Sequence, residues 1–200
     1  MEISQKSFCK NLKTSIFRFY YLSLFLLLLL SCAAEGFAQP VLSASFSNYN
    51  GYNISCNGFS DGQIDLTVNG SGPFNIQWSN GATTEDISGL TAGTYTVTVV
   101  DVANDTTIET YSLTEPDAIT RSAVSIQDVT CFGLNNGSIN ISVAGGVPNY
   151  SFQWSNSSSN EDISSLIAGV YTLTITDLNN CTSVFANDTV HEPDEIKITA

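Results

Sequence analysis

The chain has 200 residues and a formal net charge of −13, from 19 acidic residues against six lysines and arginines. A surface this acidic repels phosphate backbones and anionic lipid, which excludes nucleic acid as a partner. Its 42% apolar and 10% aromatic content sets it apart from acidic disordered chains, and a single histidine argues against histidine-based catalysis.

The first stretch reads as a targeting segment. Lys6, Lys10, Lys13 and Arg18 precede a largely apolar run from Phe19 to Leu30, too short for a membrane span of about 20 residues but of the length of a signal-peptide core. Gly36-Phe37-Ala38 offers small residues for cleavage after Ala38. Two alternatives stay open: an uncleaved anchor, and a lipoprotein anchored through Cys32 in the lipobox-like Leu29-Leu30-Ser31-Cys32. The Ala38-Gln39 junction favours ordinary cleavage. Residues 39–200 then keep only Arg121 and Lys197 against 17 acids, a net charge of about −15.

From Val41 onward the pattern is β. Val41 to Ile54 opens the folded part. Ile64-Asp65-Leu66-Thr67-Val68 alternates apolar and polar residues, the signature of a strand with one buried face. Phe74 to Trp78, Tyr95 to Val99 and Thr106 to Leu113 follow, separated by clusters of Gly, Asn, Asp and Pro that suit turns. Then the series repeats. Ile119 to Val129, Ile139 to Val143, Tyr150 to Trp154, Tyr171 to Ile175 and Thr182 to Val190 occupy the corresponding places. Trp78 returns as Trp154 and Tyr95 as Tyr171, both 76 positions on, and 28 of the 64 positions from Cys56 to Ile119 are identical in the second copy. The chain is therefore an array: a signal peptide over 1–38, one copy over 39–117 and a second over 118–200. Ile196-Lys197-Ile198-Thr199-Ala200 reads as the opening strand of a third.

About seven short strands per copy predict an all-β fold of two tandem immunoglobulin-like antiparallel sandwiches. Leu90-Thr91-Ala92-Gly93-Thr94-Tyr95 and Leu166-Ile167-Ala168-Gly169-Val170-Tyr171 fit a tyrosine corner, in which the Tyr95 or Tyr171 hydroxyl returns to nearby backbone. Trp78 and Trp154 alternate with polar neighbours, so core packing is favoured over carbohydrate stacking. The Glu115-Pro116-Asp117 and Glu192-Pro193-Asp194 joints predict copies standing end to end, because proline stiffens the backbone on both sides.

The repeated residues carry a resemblance. Cys-x-Gly, Asp/Asn-Gly-x-Ile, Gly-x-x-Pro, Trp-Ser-Asn, Glu-Asp-Ile-Ser-x-Leu-x-Ala-Gly-x-Tyr and the closing Glu-Pro resemble the SprB repeat of very large surface adhesins in gliding bacteria of the Bacteroidetes type. The resemblance covers nearly all of 41–200. It implies export by outer-membrane secretion machinery, tandem sandwich modules, and a role in adhesion or gliding motility toward an unknown glycan or protein ligand. It departs from the family in having two copies rather than many, and in lacking a recognisable sorting domain. The rival is a passive spacer, with or without stiffening by calcium, that displays another binding domain. Exposed aromatic or apolar residues at one end separate the two, and Phe59, Phe132 and Leu134 are the candidates.

Cysteine placement predicts a staple within the second copy. Cys131 and Cys181 both lie there, whereas Asp105 takes the place of Cys181 in the first copy, leaving Cys56 over. An oxidising compartment favours the bond, and closing a loop of about 50 residues is worth about 4 kcal/mol. No catalytic constellation is visible. His191 has no nucleophile beside it, and Asp65 and Glu85 have no acid–base partner, so an enzyme is not expected. No cofactor is expected either, although Asp61, Asp101, Asp105, Asp177 and Asn180 in predicted turns are oxygen donors of the kind calcium takes. Asp105-Thr106-Thr107 and Asp188-Thr189-Val190 resemble a Bacteroidetes O-glycosylation triplet, marking Thr106 and Thr189.

Overall fold

The structure, a computed structural model, describes residues 39–198. The signal segment, with Cys32, lies outside the described residues. Residues 38–200 belong to one compact unit. Twelve strands and no helix are found among the described residues.

The first copy contains β1 (Val41–Phe46), β2 (Gly62–Asn69), β3 (Asn75–Trp78), β4 (Ile87–Leu90), β5 (Gly93–Val100) and β6 (Thr106–Leu113). The second contains β7 (Thr120–Gln127), β8 (Gly137–Ala144), β9 (Ser151–Trp154), β10 (Ile163–Leu166), β11 (Gly169–Thr176) and β12 (Thr182–Val190). Each copy has two three-stranded sheets, ordered β1-β2-β4 and β3-β5-β6, then β10-β8-β7 and β12-β11-β9. All pairings are antiparallel. This is the strand order of a constant-type immunoglobulin sandwich without its fourth strand. Six strands per copy replace the expected seven. Between β3 and β4, where that strand would come in the sequence, the chain passes through Glu85 and Asp86, whose carboxylates accept from Val68 N (3.1 Å) and Leu66 N (3.0 Å). Asp162 does the same for Ile141 N at 2.8 Å. The Glu-Asp-Ile-Ser motif thus extends the edge of β2 with side chains instead of backbone.

Each copy has its own core. Ile64, Leu66, Trp78, Val97, Val99 and Leu113 pack the first, and Ile139, Trp154, Leu173, Ile175 and Val190 the second. The alternation read from the sequence is why: inward residues of β2, β5, β8 and β11 are buried and their neighbours are not. The opening strand is shorter than expected. It stops at Phe46, and Ile54 reaches the first core from a long returning loop. The expected third-copy strand is not formed: Ile196 and Ile198 are 91% and 92% exposed and belong to no sheet.

Candidate functional site

The β1–β2 loop of the first copy is tied to its own module before it meets the other. Asn53 N and Ile54 N donate to Thr114 O at 2.9 and 3.0 Å, and Thr114 N returns a bond to Asn53 Oδ1. Next come Cys56 and a tight turn, closed by Phe59 N on Cys56 O at 3.1 Å. The Glu115 carboxylate of the Glu-Pro joint accepts from Gly58 N at 2.7 Å and from Asn57. The loop is held rigid and its cysteine faces outward.

Cys56 bonds Cys181 across the junction, with the Cα atoms 5.6 Å apart and 125 positions between them. This corrects the Cys131–Cys181 expectation: Cys131 is free and exposed. The reason is strand direction. Cys131 lies in the turn before β8, and Cys181 in the β11–β12 turn at the opposite end of the same sandwich. The eight residues of β8 span roughly 25 Å at about 3.3 Å per residue, and a disulfide needs its Cα atoms within about 7 Å. Cys56 ends up packed against the second copy's core.

Asn179 completes the contact. Its Nδ2 donates to Ser55 O at 2.8 Å and to Tyr49 O at 3.3 Å, and its Oδ1 accepts from Asn50 Nδ2 at 2.6 Å. The turn that carries it is built on Asp177, whose Oδ1 accepts from Asn179 N and Cys181 N and whose Oδ2 accepts from Val147 N. Gly146 N donates to Asp117 O at 2.7 Å beneath the linker. At Gly145, φ is +77° and an added Cβ would lie 2.0 Å from Ala118 O, so only glycine fits. A cleft of about 310 Å³ remains between the copies, lined by Phe59, Pro116, Ile119 and Asp177 among others.

The remaining candidates are structural in their surroundings. Trp78 and Trp154 are each 1% exposed, and their Nε1 atoms donate to Thr84 O and Asn160 O at 3.0 Å, so neither ring is available to a sugar. The Tyr95 and Tyr171 hydroxyls donate to the carbonyls of Thr91 and Ile167, both at 3.0 Å, which is tyrosine-corner geometry. Burial pushes the Tyr171 hydroxyl above the ordinary tyrosine value. Tyr171→Phe is expected to cost about 1–3 kcal/mol in denaturant unfolding, since it leaves a part-buried carbonyl unpaired, and Tyr95→Phe less, since its bond to Thr91 O is exposed to water. The raised Tyr171 value means that its contribution is complete below about pH 10 and is lost as pH rises through the higher folded value. Tyr171→Phe should therefore flatten the alkaline limb of the stability profile.

The acids proposed for calcium are largely engaged by backbone. Asp61 Oδ1 accepts from Ser55 N, and Asp101 Oδ1 from Ala103 N and Asp105 N. Asp101 Oδ2 is buried without a partner, unlike its counterpart on Asp177. No group of three His, Cys, Asp or Glu residues is placed to hold a metal among the described residues. Asp105 and Asn180 act through backbone in the same two turns. Thr106 is exposed at the start of β6, whereas Thr189 is half-buried and its neighbour Asp188 is paired with Arg121. His191 donates its backbone N–H to Asp128 Oδ1 at 2.8 Å. Phe59 and Phe132 are both 54% exposed and Leu134 is 44% exposed.

The SprB repeat family model matches residues 49–83 and 123–159. The chain carries two SprB repeats. Each match runs from the region of the cysteine turn through the second strand to just past the buried tryptophan. The SprB signature therefore contains both Cys56 and Cys131 but not Cys181. A comparison with curated proteins gives no match. Similar solved structures include a C-terminal 282-residue fragment of intimin in complex with the Tir intimin-binding domain, at 14% identity and a TM-score of 0.40 over 76% of this chain and 64% of that one. The N-terminal eight Ig domains of Down syndrome cell adhesion molecule isoform 1.30.30 match at 11% identity and a TM-score of 0.40, over 78% of this chain and 25% of that one. The chain spans less than two thirds of either, and its sandwich assignment rests on strand order. Sequence reasoning missed Asn179, which reads as an ordinary turn residue until the Ser55 carbonyl is placed against it.

Proposed function

We propose that this chain is a secreted cell-surface module of a larger adhesin, serving adhesion or gliding through tandem repetition and not through chemistry of its own. The observation that carries this reading is the covalent junction. A disulfide between copies, with Asn179 bridging the same loops, makes two small sandwiches resist being pulled apart. That property suits a surface filament that must transmit force. Weak binding by one copy would become useful through repetition along the filament. The signal-peptide-like pattern of residues 1–38 and the SprB match support export to the surface.

The spacer reading has one observation in its favour: the first copy's cysteine turn, with its exposed Phe59, is taken up by the second copy and not left for a ligand. The test is display of residues 39–200 at high density on beads against glycan and surface-protein panels. Specific capture supports adhesion, and silence at every density supports the spacer. Calcium stiffening is tested separately. Because the turn acids already accept backbone N–H groups, the thermal midpoint in millimolar calcium is expected to equal that in chelator.

A further inference from the structure

We propose that the far end of the second copy is a preformed docking surface for a further SprB module, joined after Asp194 and locked by a disulfide from Cys131. The argument is that this end reproduces the occupied half of the existing junction. In the first copy, Asp61 Oδ1 fixes Ser55 N, Phe59 N closes the turn on Cys56 O, and the Glu115 carboxylate holds Gly58 N. In the second copy, Asn136 Oδ1 fixes Thr130 N at 3.1 Å, Leu134 N closes on Cys131 O at 3.2 Å, and the Glu192 carboxylate holds Gly133 N at 2.9 Å. The Thr130 carbonyl therefore stands where Ser55 O stands, ready for the amide of an Asn179 counterpart. The Cys131 thiol stands where Cys56 meets Cys181.

A second observation is that this end is open at its cysteine and apolar around it: Cys131 is exposed where Cys56 is buried. Phe132, Leu134, Ile167 and Val170 are between 44% and 62% exposed, and a shallow groove runs from the cysteine turn at Asn135 to Ile167 and Val170. At the matching places in the first copy the chain has Asn57, Phe59, Thr91 and Thr94, so the open end is the more apolar of the two. The occupant follows from the joint. Glu192-Pro193-Asp194 repeats Glu115-Pro116-Asp117, and it leads directly to the almost fully exposed Ile196 and Ile198.

The bond forms by exchange with a small disulfide such as oxidised glutathione. The Cys131 thiolate attacks it and releases one thiol, and the incoming module's cysteine then attacks the mixed disulfide and releases the second. Two protein thiols lose two electrons and two protons, and one small disulfide is reduced to two thiols. The inference rests on the tandem-repeat reading and is independent of any ligand, so failure of the bead capture would leave it intact.

The test is a fusion in which residues 118–200 are repeated directly after Asp194, recreating the native Asp117-Ala118 joint, and refolded in mixed oxidised and reduced glutathione. Peptide mapping without reduction should find Cys56–Cys181 together with a new link from Cys131 to the added copy's Cys181. Changing Asn179→Ala in the added copy alone should slow formation of the new link several-fold and leave the native one unchanged. A second fusion with a short Gly/Ser spacer at the joint removes strain from the graft, and it should form the same link. A Cys131 that stays open to alkylation in both fusions while Cys56–Cys181 forms would overturn the proposal.

Discussion

Breaking the Cys56–Cys181 bond is expected to lower the unfolding free energy of residues 39–200 by about 5 kcal/mol and to split one thermal transition into two. The magnitude follows from the 125-residue separation, because a cross-link removes more entropy from the unfolded chain when the closed loop is longer. The splitting follows from where the bond is anchored. Ile54, fully buried in the first core, lies two residues from Cys56, which is packed against the second core. With the bond intact, unfolding of either copy pulls on the other. With it broken, the copies are joined by the linker, the Asn179 contacts and little else. Calorimetry of Cys56→Ser, Cys181→Ser and Cys131→Ser chains checks this. The first two should resemble the reduced protein, and Cys131→Ser should resemble the oxidised parent. Superimposable melts for all three would refute the coupling, and damage confined to Cys131→Ser and Cys181→Ser would restore the pairing within the second copy.

The misplaced disulfide shows what a repeat hides. The choice of Cys131 for Cys181 came from counting cysteines within each copy, as if a module had to be closed on itself. Strand order already argues otherwise, since the loop before the second strand and the turn between the last two strands lie at opposite ends of an immunoglobulin-like sandwich. The long strands were legible because period-2 alternation marks a face, as the alternately buried residues of β2, β5, β8 and β11 do. The short β4 and β10 were not. Their burial runs buried, exposed, exposed, buried, because Gly89 and Ser165 adopt positive φ and put a bulge in mid-strand. The tyrosine corners and buried tryptophans could be read because each depends on a local spacing. Asn179 could not, since its partners are more than 120 positions away.

Replacing Arg121 by methionine is expected to cost about 3–5 kcal/mol, felt mainly in the second copy. The late insertion in that copy is the cause. It appears as a bulge in β12 opposite Tyr171 and Leu173, with Asn187 at φ +70°. The extra residue aims Asp188 inward, where it is buried and forms an ion pair with Arg121. Arg121 lies in a strand that is itself bulged, and its guanidinium sits 4.7 Å from the Phe185 ring centroid. The first copy has aromatics at this level: Tyr111 packs edge-on to Phe46 at 5.6 Å and near Trp78. Removing one partner of a buried pair leaves the other as an uncompensated charge, which costs more than the pair contributes. Arg121→Met should therefore be much worse than Arg121→Met combined with Asp188→Leu, which removes both charges. Hydrogen exchange read by mass spectrometry resolves the copies: β11 should lose protection in the single variant and regain most of it in the double, with a smaller loss in β5 that disappears when the Cys56–Cys181 bond is also removed. Equal loss in the single and double variants would mean that the pair stabilises the fold through attraction, and not merely by keeping Asp188 from standing alone.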